Sequence, residues 1–531
     1  MFEIAILIGI FSYLVFALGI LGKLNPGYIW GLTLIFWGFA LAKFKGSLKD
    51  LRGKLKDFKH LFQDKLSRVL LILIVSSTLV NLIGALGPEL GFDALWYHLT
   101  LPKIYLQNQR LLFIPGNLLY YSSMPKLVEM LYLAALAIKG EILAKLIHFI
   151  FGILSAMALF KLSRRYLNTF LSLMVVTIFY TTLVVGWQSI TAYVDLGRTF
   201  FEILALDHFL RWWEKEKIQE LRKSAIVLGL AVSTKLLALG SLIIFLILIF
   251  CKSSKNLKNF LLFTIYYLLF TILIPLPWFV FSFVHTKNPF FPLFSRMLDV
   301  SHKIIVPNFL GFFKDFWNLF LYSSDPTLPI FLIFLLLLIW CFKKLTIQKK
   351  IILFYCFLSY VAWYFTPRTG GGRFILPYLP AFSLICGLVF EKINQKRIKK
   401  TLLIFVFILS LINIGYRFLA NRKYLPVILG KENKEDFLAK NLNFQFGDFF
   451  DVDGFFAKNI QKNDLVLIYG IHNLYYVNFP FVHESWARSG IPITHILVQG
   501  KELPKNFGKR RLFYESGLTE VSLYPYGEKL P

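Results

Sequence analysis

The sequence predicts an all-α polytopic membrane protein: about 13 transmembrane helices with outer interfacial helices, followed by a small C-terminal α/β extracytoplasmic domain. Three observations carry this. Hydrophobic residues make up 57% and charged residues 17% of the 531 residues, and the mean hydropathy of +0.62 lies well above that of soluble domains. Uncharged runs such as 260–284 are long enough to cross a hydrocarbon core about 30 Å thick. The Lys and Arg residues behind the net charge of +28 fall in short runs between apolar segments, where the positive-inside rule puts cytoplasmic loops. They do not gather along one folded face, which excludes a nucleic-acid partner.

Residues 2–21 carry Glu3 but neither a basic leader nor a small-residue cleavage motif ahead of Lys23, so they read as a retained helix. With 28–42 they form a hairpin that enters the basic stretch 43–68 (Lys45, Lys49, Arg52, Lys54, Lys56, Lys59, Lys65), the expected inside. Residues 69–86 then cross to a polar, aromatic outer loop, 87–126. The apolar run 127–138 is too short to span and is expected along the interface; 142–160 returns to Lys161, Arg164 and Arg165. Residues 167–187 go out again, a turn presents Tyr193 and Asp195, and the next helix ends in the charged run 214–223.

The stretch 224–250 reads as one tilted helix or as two short ones breaking near Lys235. Two helices put the later runs 343–350 and 391–400 inside with the other basic segments, which selects the hairpin. Further crossings fall at 261–284, 328–342, 351–365, 374–390 and 402–419, leaving the C-terminus outside. Three domains follow: 1–68, an N-terminal hairpin and basic loop; 69–419, the membrane core; and 420–531, a polar domain with strand-like runs at 465–469 and 493–498. The four cysteines lie in or beside apolar segments and imply neither a disulfide framework nor a CxxC metal site. No fixed-period repeat is visible, which disfavours the common transporter folds.

Acids near a membrane usually have a functional role, because charge in the bilayer core is costly. Asp93 follows the outer end of a crossing, within Gly91-Phe-Asp-Ala-Leu-Trp-Tyr-His98. The residues alone leave two readings of it: a partly desolvated general base, or an N-cap of the helix that follows. Glu89 is either a second carboxylate or a solvated loop acid; Tyr97 and His98 either bind a sugar or phosphate or simply pack. Asp195 and Lys235 each have the same pair of readings, cap or buried pair against substrate group. In the tail, the spacing of His472, His483 and Glu484 matches no zinc pattern.

The run from Gly91 to Lys103, together with Ala192-Tyr-Val-Asp-Leu196, Gly229-Leu-Ala-Val-Ser-Thr-Lys235, Asn288-Pro-Phe-Phe-Pro292 and Arg373-Phe-Ile-Leu-Pro-Tyr-Leu-Pro380, resembles pieces of the bacterial GT-C glycosyltransferases related to the protein mannosyltransferase and lipid A aminoarabinose transferase families. The resemblance covers roughly residues 69–420 and keeps the family's order. It implies inverting transfer of a sugar from a polyprenyl-phosphate donor to a lipid, glycan or protein acceptor, on the extracytoplasmic face of the inner membrane. It places the base on Asp93 and phosphate stabilisation on Arg373 or Lys235. Glu89, Tyr97, His98 and Asp195 become substrate-binding candidates, and a divalent cation, if one is used, falls to Asp93 and Asp195. Relatives with paired acids in the first outer loop have them adjacent, whereas Glu89 and Asp93 are separated here.

Two other classes compete. A transporter also has apolar helices with a few buried charges, but its coupling charges belong near the midplane, and Asp93, Asp195 and Arg373 map to the outer rim. A scaffold displaying the C-terminal domain leaves the acidic aromatic loop without a purpose.

Overall fold

A computed structural model describes residues 1–61, 64–295, 308–321, 329–366 and 368–530. The chain is predominantly helical, with a five-stranded sheet near its C-terminal end. Among the described residues, six helices are long and apolar enough to cross a membrane: Phe2–Ile20, Lys65–Leu86, Glu141–Ser163, Leu236–Ser253, Gly372–Lys392 and Lys396–Ile428. A seventh span results if the pair Leu257–Leu273 and Leu276–Thr286, bent by 66° at Pro275, is counted as one. The expected crossings exceed these because several helices fail on length or charge, among them the 12-residue Thr169–Tyr180 and the charged Asp195–Lys215.

In chain order the first helices are α1 (Phe2–Ile20), α2 (Pro26–Leu61), α3 (Lys65–Leu86), α4 (Thr100–Gln107), α5 (Leu127–Ile138), α6 (Glu141–Ser163), α7 (Thr169–Tyr180), α8 (Leu183–Gln188), α9 (Asp195–Lys215), α10 (Ile218–Thr234), α11 (Leu239–Ser253), α12 (Leu257–Leu273) and α13 (Leu276–Thr286). The side chains from Lys45 to Lys59 and residue Leu328, where a crossing was expected to start, lie outside the described residues. The expected crossing over 167–187 is two helices, α7 and α8, because Thr182 turns its hydroxyl to cap α8 at Val185. Helix α5 is not interfacial. Leu127 to Ala135 are all buried, packed against α1, α4 and α6, so this short apolar helix is shielded by protein rather than by headgroups.

The hairpin over 224–250 is present. At the start of α10, Glu220 pairs with His208 of α9 at 2.7 Å, and the chain rises to Lys235, which reaches Asp195 at the other end of α9. It then returns along α11, so that Lys252 meets Glu216, just past the last residue of α9, at 2.7 Å. The break falls at Lys235, which is extended (φ −153°, ψ 122°) between two helices. Consequently Asp195 and Lys235 share one end of the bundle, the site end, while basic residues such as Arg165, Lys252 and Lys349 pair with acids at the opposite end.

The C-terminal sheet is mixed, in the order β2-β1-β3-β5-β4, with β1 (Val466–Tyr469), β2 (Phe481–His483), β3 (Pro492–Gln499), β4 (Tyr514–Ser516) and β5 (Val521–Lys529). Strands β1–β2 and β1–β3 run parallel, and β3–β5 and β4–β5 antiparallel. The segment after β1 sits on the loop that follows α3. Lys103 donates to the carbonyls of Tyr475 and Val477, each at 2.6 Å, and the Tyr475 amide donates to Leu95 O at 3.2 Å.

Inside the bundle, Arg198 pairs with Glu202 one turn on in α9 at 2.6 Å, and both are fully buried. Ser241 of α11 donates to Glu202 at 2.6 Å, and Arg198 donates to the Tyr378 hydroxyl at 3.2 Å, which ties α9 to α11 and to the segment Arg368–Tyr378. A buried pair is far more sensitive to loss of one partner than to replacement of both. Glu202→Leu alone is expected to lower stability by about 3–5 kcal/mol, and adding Arg198→Met to restore most of it, read by denaturant titration in mixed micelles.

Candidate active site

Asp93 is positioned by the way α3 ends. The C-terminal carbonyls of α3 are caught by the buried ammonium of Lys145 in α6, which donates to Gly84, Gly87 and Pro88 at 2.9, 2.6 and 2.9 Å. A cation there also complements the helix dipole. Glu89 follows, fully buried, and its carboxylate accepts from the amides of Leu90 and Gly91, the Thr191 hydroxyl and the Ala192 amide at 2.7–3.0 Å. Glu89 therefore staples the loop after α3 to the turn before α9. It does not reach the cavity described below and is not a solvated loop acid. Gly91 is needed at this staple, because a Cβ there would meet the Thr191 hydroxyl at 2.1 Å.

Asp93 itself is helical (φ −64°, ψ −29°) and caps nothing with its side chain. It leads into a short π-helical turn, Ala94–His98, a distortion frequent at functional sites. Its amide donates to the Tyr193 hydroxyl at 3.1 Å, and its carboxylate accepts from Arg373 Nη1 at 2.8 Å. Tyr97 OH stands 3.5 Å from the same oxygen.

Asp195 is not a cap either. The Leu196 amide in the first turn of α9 is taken by His148 Nε2 of α6 at 3.0 Å, while His148 Nδ1 lies 2.8 Å from Thr191 O. With that amide supplied from outside, the Asp195 carboxylate turns to Lys235 at 2.7 Å and lies 3.8 Å from Arg373 Nε. The guanidinium of Arg373 thus stands between two carboxylates and against the rings of Tyr193, Phe374 and Trp187, at 5.0, 5.1 and 5.9 Å. Lys235 lies over Phe374 at 4.8 Å. Two acids and two bases, from four separate chain segments, meet at one point.

They open onto a cavity of about 750 Å³. Its polar end is formed by Asp93, Tyr97, His98, Lys126, Glu129, Lys235 and Arg373. Its other walls are apolar: Leu239, Ile243, Ile244 and Ile247 from one face of α11, and Leu358, Val361, Ala362 and Phe365 from the helix Ile347–Tyr364 and the residue after it. Both sets repeat at helical spacing. Ile243 is 61% and Ile247 36% exposed, so the trough opens sideways, toward where lipid would lie. From Lys235 to Ile247 it runs about 18 Å at helical rise.

Of the sequence candidates, Asp93, Tyr97, His98, Lys235 and Arg373 line this cavity; Asp195 backs them, and Glu89 stands apart. Sequence reasoning missed Lys126 and Glu129. Glu129 is the acid of an otherwise apolar helix, α5, and that isolation was the available signal. A divalent cation does not fit between Asp93 and Asp195, because the Arg373 guanidinium bridges them. Among the described residues no cluster of three His, Cys, Asp or Glu forms elsewhere. In the tail, His483 is satisfied by Ile471 O at 3.0 Å and Ser485 at 3.1 Å, and His472 lies against Trp96 at 5.3 Å.

The fold is shared with the solved structure of ArnT. The structure is similar to ArnT from Cupriavidus metallidurans in the apo state, with a TM-score of 0.60 and 11% identity over 86% of this chain and 97% of that one. ArnT bound to undecaprenyl phosphate aligns at 0.57, with 11% identity over 86% and 98% of the two chains. The apo oligosaccharyltransferase of Archaeoglobus fulgidus aligns at 0.49, with 12% identity over 82% and 70%. No family model and no curated protein matches the sequence.

The staple has a measurable consequence. Glu89→Ala strands the buried Ala192 amide and the half-buried amides of Leu90 and Gly91, and is expected to lower stability by about 1–3 kcal/mol per unsatisfied donor that water cannot reach, read as a lower thermal midpoint and yield of folded protein. An unchanged midpoint would return Glu89 to the candidate substrate residues.

Proposed function

We propose that this chain is an inverting glycosyltransferase that moves a sugar from a polyprenyl-phosphate donor to a hydroxyl of a lipid, glycan or protein acceptor. The observation that carries the reading is the cavity with an ion-paired polar end and an apolar trough about 18 Å long open to the side. Such a cavity matches a ligand with a charged head and a long hydrocarbon tail. The GT-C fold supports it, since ArnT has been solved on this fold with undecaprenyl phosphate bound.

In this reading the tail lies along α11 and the helix Ile347–Tyr364, and the phosphate meets Arg373 and Lys235. The acceptor oxygen attacks the anomeric carbon from the side opposite the phosphate. As the new C–O bond forms, the bond to the phosphate oxygen breaks, and the acceptor proton passes to the Asp93 carboxylate. Arg373 already pairs with Asp93, so an arriving phosphate competes for the guanidinium and frees the carboxylate as the donor binds. Asp195 holds both cations in place. The first outer loop and the C-terminal domain share the site end, which we assign to the extracytoplasmic side of the cell membrane; the basic end faces the cytoplasm.

The test is transfer of radiolabelled sugar from a panel of polyprenyl-phosphate sugars into extractable lipid, glycan or protein, using membranes that contain the wild type or Asp93→Asn. Transfer by the wild type and a loss of about 100-fold or more in the variant is expected; retained transfer in the variant would remove Asp93 as the base. The trough makes a separate prediction. Ile247→Asn should raise KM for a long-chain polyprenyl donor by about tenfold and leave KM for a donor with two isoprene units unchanged, because that short tail ends before Ile247.

A further inference from the structure

Beside the Asp93–Arg373 pair the cavity has a second polar pair. His98, 2% exposed, and Glu129, 4% exposed, come from the π-helical turn and from the first turn of α5. His98 Nδ1 and Glu129 Oε1 are 2.9 Å apart, and both residues line the cavity. The outer atoms of the pair, His98 Nε2 and Glu129 Oε2, are buried and find no hydrogen-bond partner among the described residues. Two unpartnered polar atoms on adjoining buried side chains are costly unless a ligand satisfies them.

Their hydrogen-bonding polarity follows from chemistry. A carboxylate only accepts, so Nδ1 carries the proton that it donates to Oε1. A neutral imidazole then presents Nε2 as an acceptor, next to the acceptor Oε2. Lys126 does not fill this role, because its ammonium donates to the carbonyls of Tyr121 and Met124. The aromatic surroundings suit a pyranose ring: Tyr97 lies 4.1 Å from the His98 ring and stacks on Tyr121 at 3.7 Å. The pair also adjoins the proposed reaction centre, since the His98 ring is 5.7 Å from that of Tyr193, on which Arg373 rests.

We propose that His98 and Glu129 form the subsite that reads the transferred sugar, accepting hydrogen bonds from two of its ring hydroxyls. This rests on the glycosyltransferase reading and adds to it the groups that select the sugar. Asp93 and Arg373 meet the reacting bond, whereas this pair meets the part of the donor that undecaprenyl phosphate lacks.

The experiment compares binding of two ligands to the purified full-length protein in nanodiscs: undecaprenyl phosphate alone, and the undecaprenyl-phosphate hexose that the wild type binds most tightly. Glu129→Gln replaces one acceptor by a donor. His98→Asn keeps a donor near the Nδ1 position, and with it the contact to Glu129, but deletes Nε2. Each variant is expected to weaken the sugar-bearing lipid by about tenfold or more and to leave the sugar-free lipid within about twofold. Equal weakening of both lipids, or of neither, overturns the subsite. A wild type that binds neither lipid overturns the glycosyltransferase reading as well, which separates the two failures.

Discussion

Arg373 is the contact on which the rest of the site depends. Its guanidinium joins the loop after α3 through Asp93 to the start of α9 through Asp195, and Lys235 adds the break between α10 and α11 to the same cluster. Each of these charges is costly to bury alone, and the cluster is tolerable because the two acids and two bases neutralise one another at hydrogen-bond distance. Arginine suits the central position better than lysine would. A planar fork can address two carboxylates at once and still lie flat on Tyr193 and Phe374, whereas an ammonium is a point charge.

The surrounding structure leaves those carboxylates available. Helix N-termini commonly recruit a nearby aspartate as a cap, and both Asp93 and Asp195 stand where a cap would serve. His148 supplies the first turn of α9 instead, and Glu89 ties down the loop amides before Asp93. Lys145 does the same for the carbonyls that end α3. Three buried polar side chains thus absorb the backbone demands at this end of the bundle. The functional candidates can then point at one another and at the cavity.

Much of this was legible in the sequence, and the reason is local. The polytopic class, the acidic outer loop, the break at Lys235 and the strands near 466–469 and 492–499 all follow from runs of hydropathy, charge or alternation within a few residues. The resemblance in short motifs brought Asp93, Asp195, Lys235 and Arg373 together before any geometry did. What stayed hidden depends on pairing between distant segments. Glu89 looks like a loop acid until Thr191 and Ala192 are beside it. Helix α5 looks interfacial until its neighbours surround it, and Arg198 and Glu202 look like an ordinary charged face of α9 until Ser241 and Tyr378 close the network. Among the described residues, length and apolarity alone single out six crossings, or seven with the bent pair, while the larger expected number rests on charge and loop placement as well.

The balance of charge bears on how the proposed site would work. With Asp93, Asp195, Arg373 and Lys235 paired, the cluster is formally neutral, and the charges of Lys126 and Glu129, which do not pair with each other, also cancel. A phosphodiester entering such a site brings a net negative charge that no surplus cation awaits. It has to be accommodated by redistributing hydrogen bonds, and Arg373, which holds several donors and two acidic partners, is the group with donors to redistribute. Each donor that turns from Asp93 to the phosphate makes the Asp93 carboxylate a better proton acceptor. On this reading, donor binding and activation of the base are one event, because both draw on the same guanidinium. A site with excess positive charge would bind the lipid phosphate more tightly and lose that coupling.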